Sequence, residues 1–93
     1  MDIFATREID PDTTIVSEER LDLEGIPVLV EHWRCDGISG VSYVIPRAQV
    51  EHMGEAEVIA LMRRHIALEG YTYSSKPGSQ FIFVNHNFYR NDD

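Results

Sequence analysis

The stretch Glu55-Ala56-Glu57-Val58-Ile59-Ala60-Leu61-Met62-Arg63-Arg64-His65-Ile66-Ala67-Leu68-Glu69, closed by Gly70, decides the fold. Val58, Ile59, Met62 and Ile66 recur at i, i+1, i+4 and i+8, and Leu61 and Leu68 widen the stripe. That spacing predicts an amphipathic helix over 55–69. Glu55 and Glu57 suit the positive end of the helix dipole, and Arg63, Arg64 and His65 the negative end. Gly70 suits the position past the C-terminus, where a left-handed backbone costs a glycine little. No other segment has a comparable helical pattern.

Extended runs flank this helix on both sides. Thr13 to Leu23 opens with residues that favour the extended state. Alternation would put Ile15, Leu21 and Leu23 on one side and Val16, Glu18, Arg20 and Asp22 on the other. Glu24-Gly25 then turns the chain into Ile26 to Arg34, whose two faces both lean apolar. Asp36-Gly37 is the clearest hairpin signal, leading to a return strand over Ile38–Ile45 that Pro46 ends. Arg47 to Met53 reads as a short helical turn. Beyond Gly70, Tyr71 to Ser74 and Gln80 to Val84 flank Lys76-Pro77-Gly78-Ser79, a type II turn signal. The aromatics Tyr71, Tyr73, Phe81 and Phe83 are expected on one face of this second hairpin. Ile3, Phe4 and Ile9 suggest a brief edge strand or loose packing before the Asp10-Pro11-Asp12 turn.

The expectation is a single α+β domain over 1–93. An antiparallel sheet of about five strands, in β-β-β-α-β-β order, carries one main helix on one face. A polar tail is expected from about residue 86. The strand order across the sheet stays open. With 93 residues the chain can build one core, and no apolar run approaches the ~18 residues of a membrane span. Cys35 is the single cysteine, so neither an internal disulfide nor a cysteine-held zinc site is expected. The expected setting is cytoplasmic.

Charge is the strongest functional clue. The net charge is −8, and it is concentrated at the start of the chain. Residues 1–31 hold nine acids (Asp2, Glu8, Asp10, Asp12, Glu18, Glu19, Asp22, Glu24 and Glu31) against Arg7 and Arg20. Such a field repels phosphate backbones and attracts basic protein surfaces. It also keeps a protein soluble, whatever else it does.

Residues that carry chemistry are sparse. His32, His52, His65 and His86 do not pair at ligand spacing, and His32 and Cys35 would point to opposite faces of a strand. Cys35 beside Arg34 reads as a small packed thiol rather than a nucleophile. Lys76-Pro77-Gly78-Ser79 lacks the length and following helix of a phosphate loop. No enzyme activity, cofactor, metal site, membrane association or direct nucleic-acid contact is expected.

Leu68-Glu69-Gly70-Tyr71-Thr72-Tyr73, followed by Lys76-Pro77-Gly78-Ser79-Gln80-Phe81-Ile82-Phe83, resembles the helix–strand–turn–strand of HicA-type toxins over about twenty residues. Those toxins are small mRNA interferases of double-stranded-RNA-binding-like fold. The family has its catalytic histidine directly after Gly-Ser, where this chain has Gln80. The resemblance therefore implies a shared hairpin geometry without the activity.

The leading expectation is a small acidic binding protein that engages a basic partner protein. It would use Asp10, Asp12, Glu18, Glu19, Asp22 and Glu24 as a negative patch, with Trp33 and Tyr43 as aromatic anchors. Small inhibitors, immunity proteins and phage anti-defence proteins block nucleic-acid-binding grooves in this way. The alternative is a structural or assembly subunit, a homodimer joined through a sheet edge or an uncovered sheet face. A third reading makes Tyr71, Tyr73, Phe81 and Phe83 a base-stacking platform near Arg63, Arg64, Lys76 and Arg90.

Overall fold

The computed structural model describes residues 2–90, with the side chains of 87–90 excepted. It is an α+β fold: a five-stranded antiparallel sheet with one main helix. The strands are β1 (Thr14–Leu23), β2 (Ile26–Cys35), β3 (Ile38–Pro46), β4 (Tyr71–Ser74) and β5 (Phe81–Arg90), and the helices are α1 (Arg47–Val50) and α2 (Glu55–Arg63). The strand order is β1-β2-β3-β5-β4. Local turn chemistry sets the first three strands. Glu24 and Gly25 have φ of 57° and 92°, and Asp36 and Gly37 have 48° and 77°. Positive φ at both central residues defines a turn whose twist matches the strands it joins. In the β4–β5 hairpin, Pro77 and Gly78 (φ 82°) hold the middle positions, and the Ser79 N–H closes the turn onto the Lys76 carbonyl at 3.1 Å.

Register distributes the side chains in rows. On one face, Val30, Tyr43 and Val84 form a row that reaches Tyr73, and Val28 pairs Leu21. These residues share one core cluster with Ile45, Ile82, Val50 and the α2 residues Val58, Ile59 and Met62. On the other face a polar row crosses the sheet through Glu18, Glu31, Ser42, Asn85 and Thr72. Beside it, Leu29, Val44 and Phe81 form a second cluster with Phe4, and Phe83 packs against it.

Phe4 is the unexpected member. The segment before β1 neither frays nor adds a strand; it crosses the second face of the sheet as a strap. Its backbone hydrogen bonds among the described residues are internal, from the Ala5 N–H to the Asp2 carbonyl and from the Arg7 N–H to the Phe4 carbonyl. Side chains hold it down. Phe4 is 6% exposed and stacks on Phe81 with ring centroids 5.8 Å apart. Arg20 lies over Phe4 at 5.0 Å while donating two hydrogen bonds to Asp2, at 2.9 and 2.7 Å. Arg7 pairs with Glu31 and lies over the Phe83 ring.

Four local expectations are corrected. The helix stops at Arg63 rather than running to Glu69, and the Arg64 and Ile66 amides still bond back to the Ala60 and Met62 carbonyls. Glu24, on the β1–β2 turn, takes hydrogen bonds from Arg64 at 2.8 and 3.0 Å and lies 2.8 Å from the His65 ring. The chain turns there, and Ile66 and Leu68 join the core from irregular backbone. The apolar stripe was therefore real beyond Arg63, but it belongs to a loop.

The last strand is longer than expected. β5 continues to Arg90 because Ile38 to Ser42 of β3 need a ladder partner, so residues 86–90 of the expected tail are strand. Residues 91–93 lie outside the described part. In β1 a bulge falls between Ile15 and Ser17. Ile15 then pairs Trp33 while Leu21 pairs Val28, and those two β2 residues face opposite ways. Ile15 is thus on the strap side, away from Leu21 and Leu23. Finally, Tyr73 pairs Val84 in the helix-side row, whereas Phe81 and Phe83 belong to the strap side. The four hairpin aromatics do not make one platform.

Gly40 has a packing role. It pairs Trp33 across β2–β3, and a Cβ at this position would press into Cζ2 and Cε2 of the indole. The ring lies over the glycine, with its N–H donated to the Ser42 hydroxyl at 2.9 Å. Gly40→Ala is expected to lift the ring, break that bond and cost about 1–3 kcal/mol. Urea unfolding would read the cost. Because Trp33 is the sole tryptophan, a red-shifted emission would report the displacement directly.

Candidate protein-binding surface

β1 is an outer strand, bonded to β2 on one side. Among the described residues its other edge has no strand partner, and in natural sheets such edges are guarded by charge, bulges or a covering segment. Here both charge and a bulge are present. The bulge at Val16 turns that side chain outward until it is 61% exposed, and Ile9 is exposed beside it. Ile9, Ile15, Val16, Ser17 and Glu18 line one shallow concavity. Val16 also borders a second, with Trp33, Arg34, Gly40 and Val41.

The carboxylates divide into two groups. Asp10 and Asp12 lie in the turn that enters β1, where Asp10 accepts the Asp12 N–H at 2.9 Å. Glu18 and Glu19 follow on β1, on opposite faces, both exposed. Asp22 and Glu24 stand at the far end of the strand, about 13 Å and about 20 Å from Glu18 at the rise of an extended chain. Asp22 accepts the Gly25 N–H at 2.7 Å and thereby serves the hairpin turn. The Arg64 hydrogen bonds, followed by those of His65, hold the Glu24 carboxyl at about 2, well below its ordinary value. Asp2 is likewise held at about 2, first by the Arg20 hydrogen bond and then by the Phe4 amide.

Several acids of the N-terminal third therefore have their charge answered within the protein: Asp2 by Arg20, Glu24 by Arg64 and His65, and Glu31 by Arg7. Glu31 is the buried case. Desolvation raises its pKa, against the pull of Arg7. Among the described residues, Asp10, Asp12, Glu18 and Glu19 have no basic side chain at ion-pair distance.

The two aromatics expected as anchors are placed differently. Trp33 is half-buried on the strap side, next to Val16. Tyr43 is 7% exposed within the helix-side core, its ring 6.3 Å from that of His86, and offers a partner little surface. Sequence reasoning missed Ile9 and Val16. The available signal was an apolar residue next to Ile15 in a strand whose following positions are polar, but the bulge that exposes it depends on the pairing with β2.

Among the described residues, no group of three or more His, Cys, Asp or Glu side chains could hold a metal ion, and no helix is long and apolar enough to cross a membrane. The Cys35 sulfur lies 3.9 Å from the Asp36 carboxylate, next to negative rather than positive charge. No family model, curated protein or solved structure matches the chain.

Proposed function

We propose that this is a small acidic binding protein of the cytoplasm that covers a basic surface of a partner protein, as an inhibitor, immunity or anti-defence protein would. The start of β1 is its contact region. The observation that carries the reading is the coincidence of an exposed apolar spot with unanswered charge. Ile9 and Val16 stand exposed, Glu18 lines the same concavity, and Asp10, Asp12 and Glu19, close by along the chain, have like Glu18 no basic side chain at ion-pair distance among the described residues. Apolar anchors ringed by charge are the usual anatomy of an interface, and the carboxylates would speed association with a cationic patch. A groove that binds nucleic acid has the required sign.

The homodimer alternative has less behind it. Phe4 covers part of the sheet face that would otherwise be open. Antiparallel pairing of two β1 edges would also set Glu18 and Glu19 against their own copies, and like charges across a ladder repel.

The test is affinity capture with the tagged full chain at low and raised salt, with bound proteins and nucleic acid identified. A basic partner should be retained at low salt and released as salt rises. It should be lost with Glu18→Gln plus Glu19→Gln but kept with Glu51→Gln plus Glu57→Gln, which removes as much charge elsewhere. Equal loss in both variants, or recovery of the protein alone as a salt-indifferent dimer, would sink the proposal.

A further inference from the structure

On the strap side, between Arg7 and the β4–β5 turn, lies a pocket of about 280 Å³ lined by Arg7, Ser42, Ser74, Lys76, Ser79, Phe83 and Asn85. The chain is acidic overall, yet among the described residues no acidic side chain lines this pocket. Its polar wall consists of two cations, three hydroxyls and a carboxamide, against the ring of Phe83.

These groups are held in place. The Trp33 indole N–H donates to the Ser42 hydroxyl, which in turn donates to the Asn85 carboxamide oxygen at 2.7 Å. With its oxygen engaged there, Asn85 keeps its NH2 as the end that can donate. The far rim is fixed by Arg47, whose guanidinium donates to the Ser79 carbonyl at 2.7 Å and to the Lys76 carbonyl. That anchors the turn carrying Lys76 while leaving its ammonium free of an ion pair among the described residues. Ser79 is spent on the backbone of Phe81, so the donors that remain are Lys76, Asn85, Ser74 and the guanidinium of Arg7. Donors that converge in a concavity with one apolar wall are the usual build of a small-ligand site.

We infer that this pocket binds a small monocarboxylate, its carboxylate held by Lys76, Asn85 and Ser74 beside Arg7 and its apolar body against Phe83. The charge count selects the valence. Arg7 is balanced by Glu31, which leaves Lys76 as one net positive charge, enough for a monoanion. A phosphate dianion would bring surplus negative charge close to buried Glu31. The pocket is small for a ligand site, just below the usual range of about 300–1,000 Å³, which suits a small ligand. This inference does not depend on the β1 surface, which faces a different partner with the opposite charge.

The test is a titration of the 15N-labelled full chain with sodium benzoate, followed by amide NMR at constant ionic strength. Inorganic phosphate serves as a second arm. Benzoate should shift the Asn85 side-chain NH2 pair and the backbone amides of residues 76, 78 and 79 saturably. Lys76→Gln, at an exposed position that leaves the fold intact, should weaken binding by about fivefold. Lys76→Glu should abolish it. Shifts that never saturate, that fall elsewhere, or that persist unchanged in Lys76→Gln would overturn the site. Tighter binding of phosphate than of benzoate would overturn the assignment of a monocarboxylate.

Discussion

Replacing Arg7 with methionine is expected to lower stability by about 3 kcal/mol at pH 7, because it leaves Glu31 charged, buried and alone. Glu31 is 1% exposed, in the middle of the sheet, and Arg7 is its ion-pair partner. Methionine keeps much of the packing over Phe83, so the loss reports mainly the orphaned charge. The pH dependence follows from the direction of the shift. Desolvation already raises the Glu31 pKa above 4.5, and losing Arg7 raises it further. A carboxyl with a raised folded-state pKa binds its proton more tightly when folded than when unfolded. Its contribution to stability therefore falls as pH rises from the unfolded value through the folded one.

The variant should thus recover towards wild type as pH falls from neutral towards the ordinary glutamate value, as Glu31 takes up a proton in the folded state. That window lies above the range in which Asp2 and Glu24, both held at about 2, begin to lose their ion pairs. Urea unfolding at a series of pH values would measure this. Arg7→Met combined with Glu31→Gln should restore most of the loss, since no charge then remains to be desolvated. A deficit that ignores pH and persists in the double variant would mean that the Arg7 stem, not its charge, matters.

Truncating Phe4 to alanine is the second large effect, about 3 kcal/mol and at the low end of the range for a buried phenylalanine. The low end is expected because the strap is held by side chains and can partly yield. The loss should come with a change of surface. Without the ring, Leu29, Val44 and Phe81 meet solvent, and the variant should bind a hydrophobic dye and self-associate. Calorimetry and sedimentation would read both. An unchanged melting temperature would show that the strap contributes nothing to stability, and that the second core is closed by something else.

The elements were largely legible because their causes are local. Glu24-Gly25 and Asp36-Gly37 specify their turns through the φ values they tolerate, and Lys76-Pro77-Gly78-Ser79 does so through proline and glycine. The helix start at Glu55 and its apolar face could be read from spacing alone. The misread boundaries all involve a distant partner. Arg64 is a good helix former and both Arg64 and His65 suit the negative end of a helix, yet Glu24 engages them where the helix ends, from a turn some forty positions away. Asn85 and His86 look like the start of a tail until β3 supplies the ladder that keeps them extended.

The candidate surface shows the same division. The sequence alone identified an acidic N-terminal third and the residues that compose it. It could not say which carboxylates would be answered internally, because ion pairing is short-ranged in water and depends on side chains meeting in space. Folding assigns Arg20 to Asp2, Arg64 and His65 to Glu24, and Arg7 to Glu31. The turn before β1 and the start of that strand keep their charge, and the β1 bulge adds the exposed Val16. What the sequence by itself determined was the element order, the turns and the sign of the charge, each set by neighbours within a few residues. What tertiary structure decided was the strap, the faces on which the aromatics lie and the final distribution of that charge, since each requires two remote segments to meet.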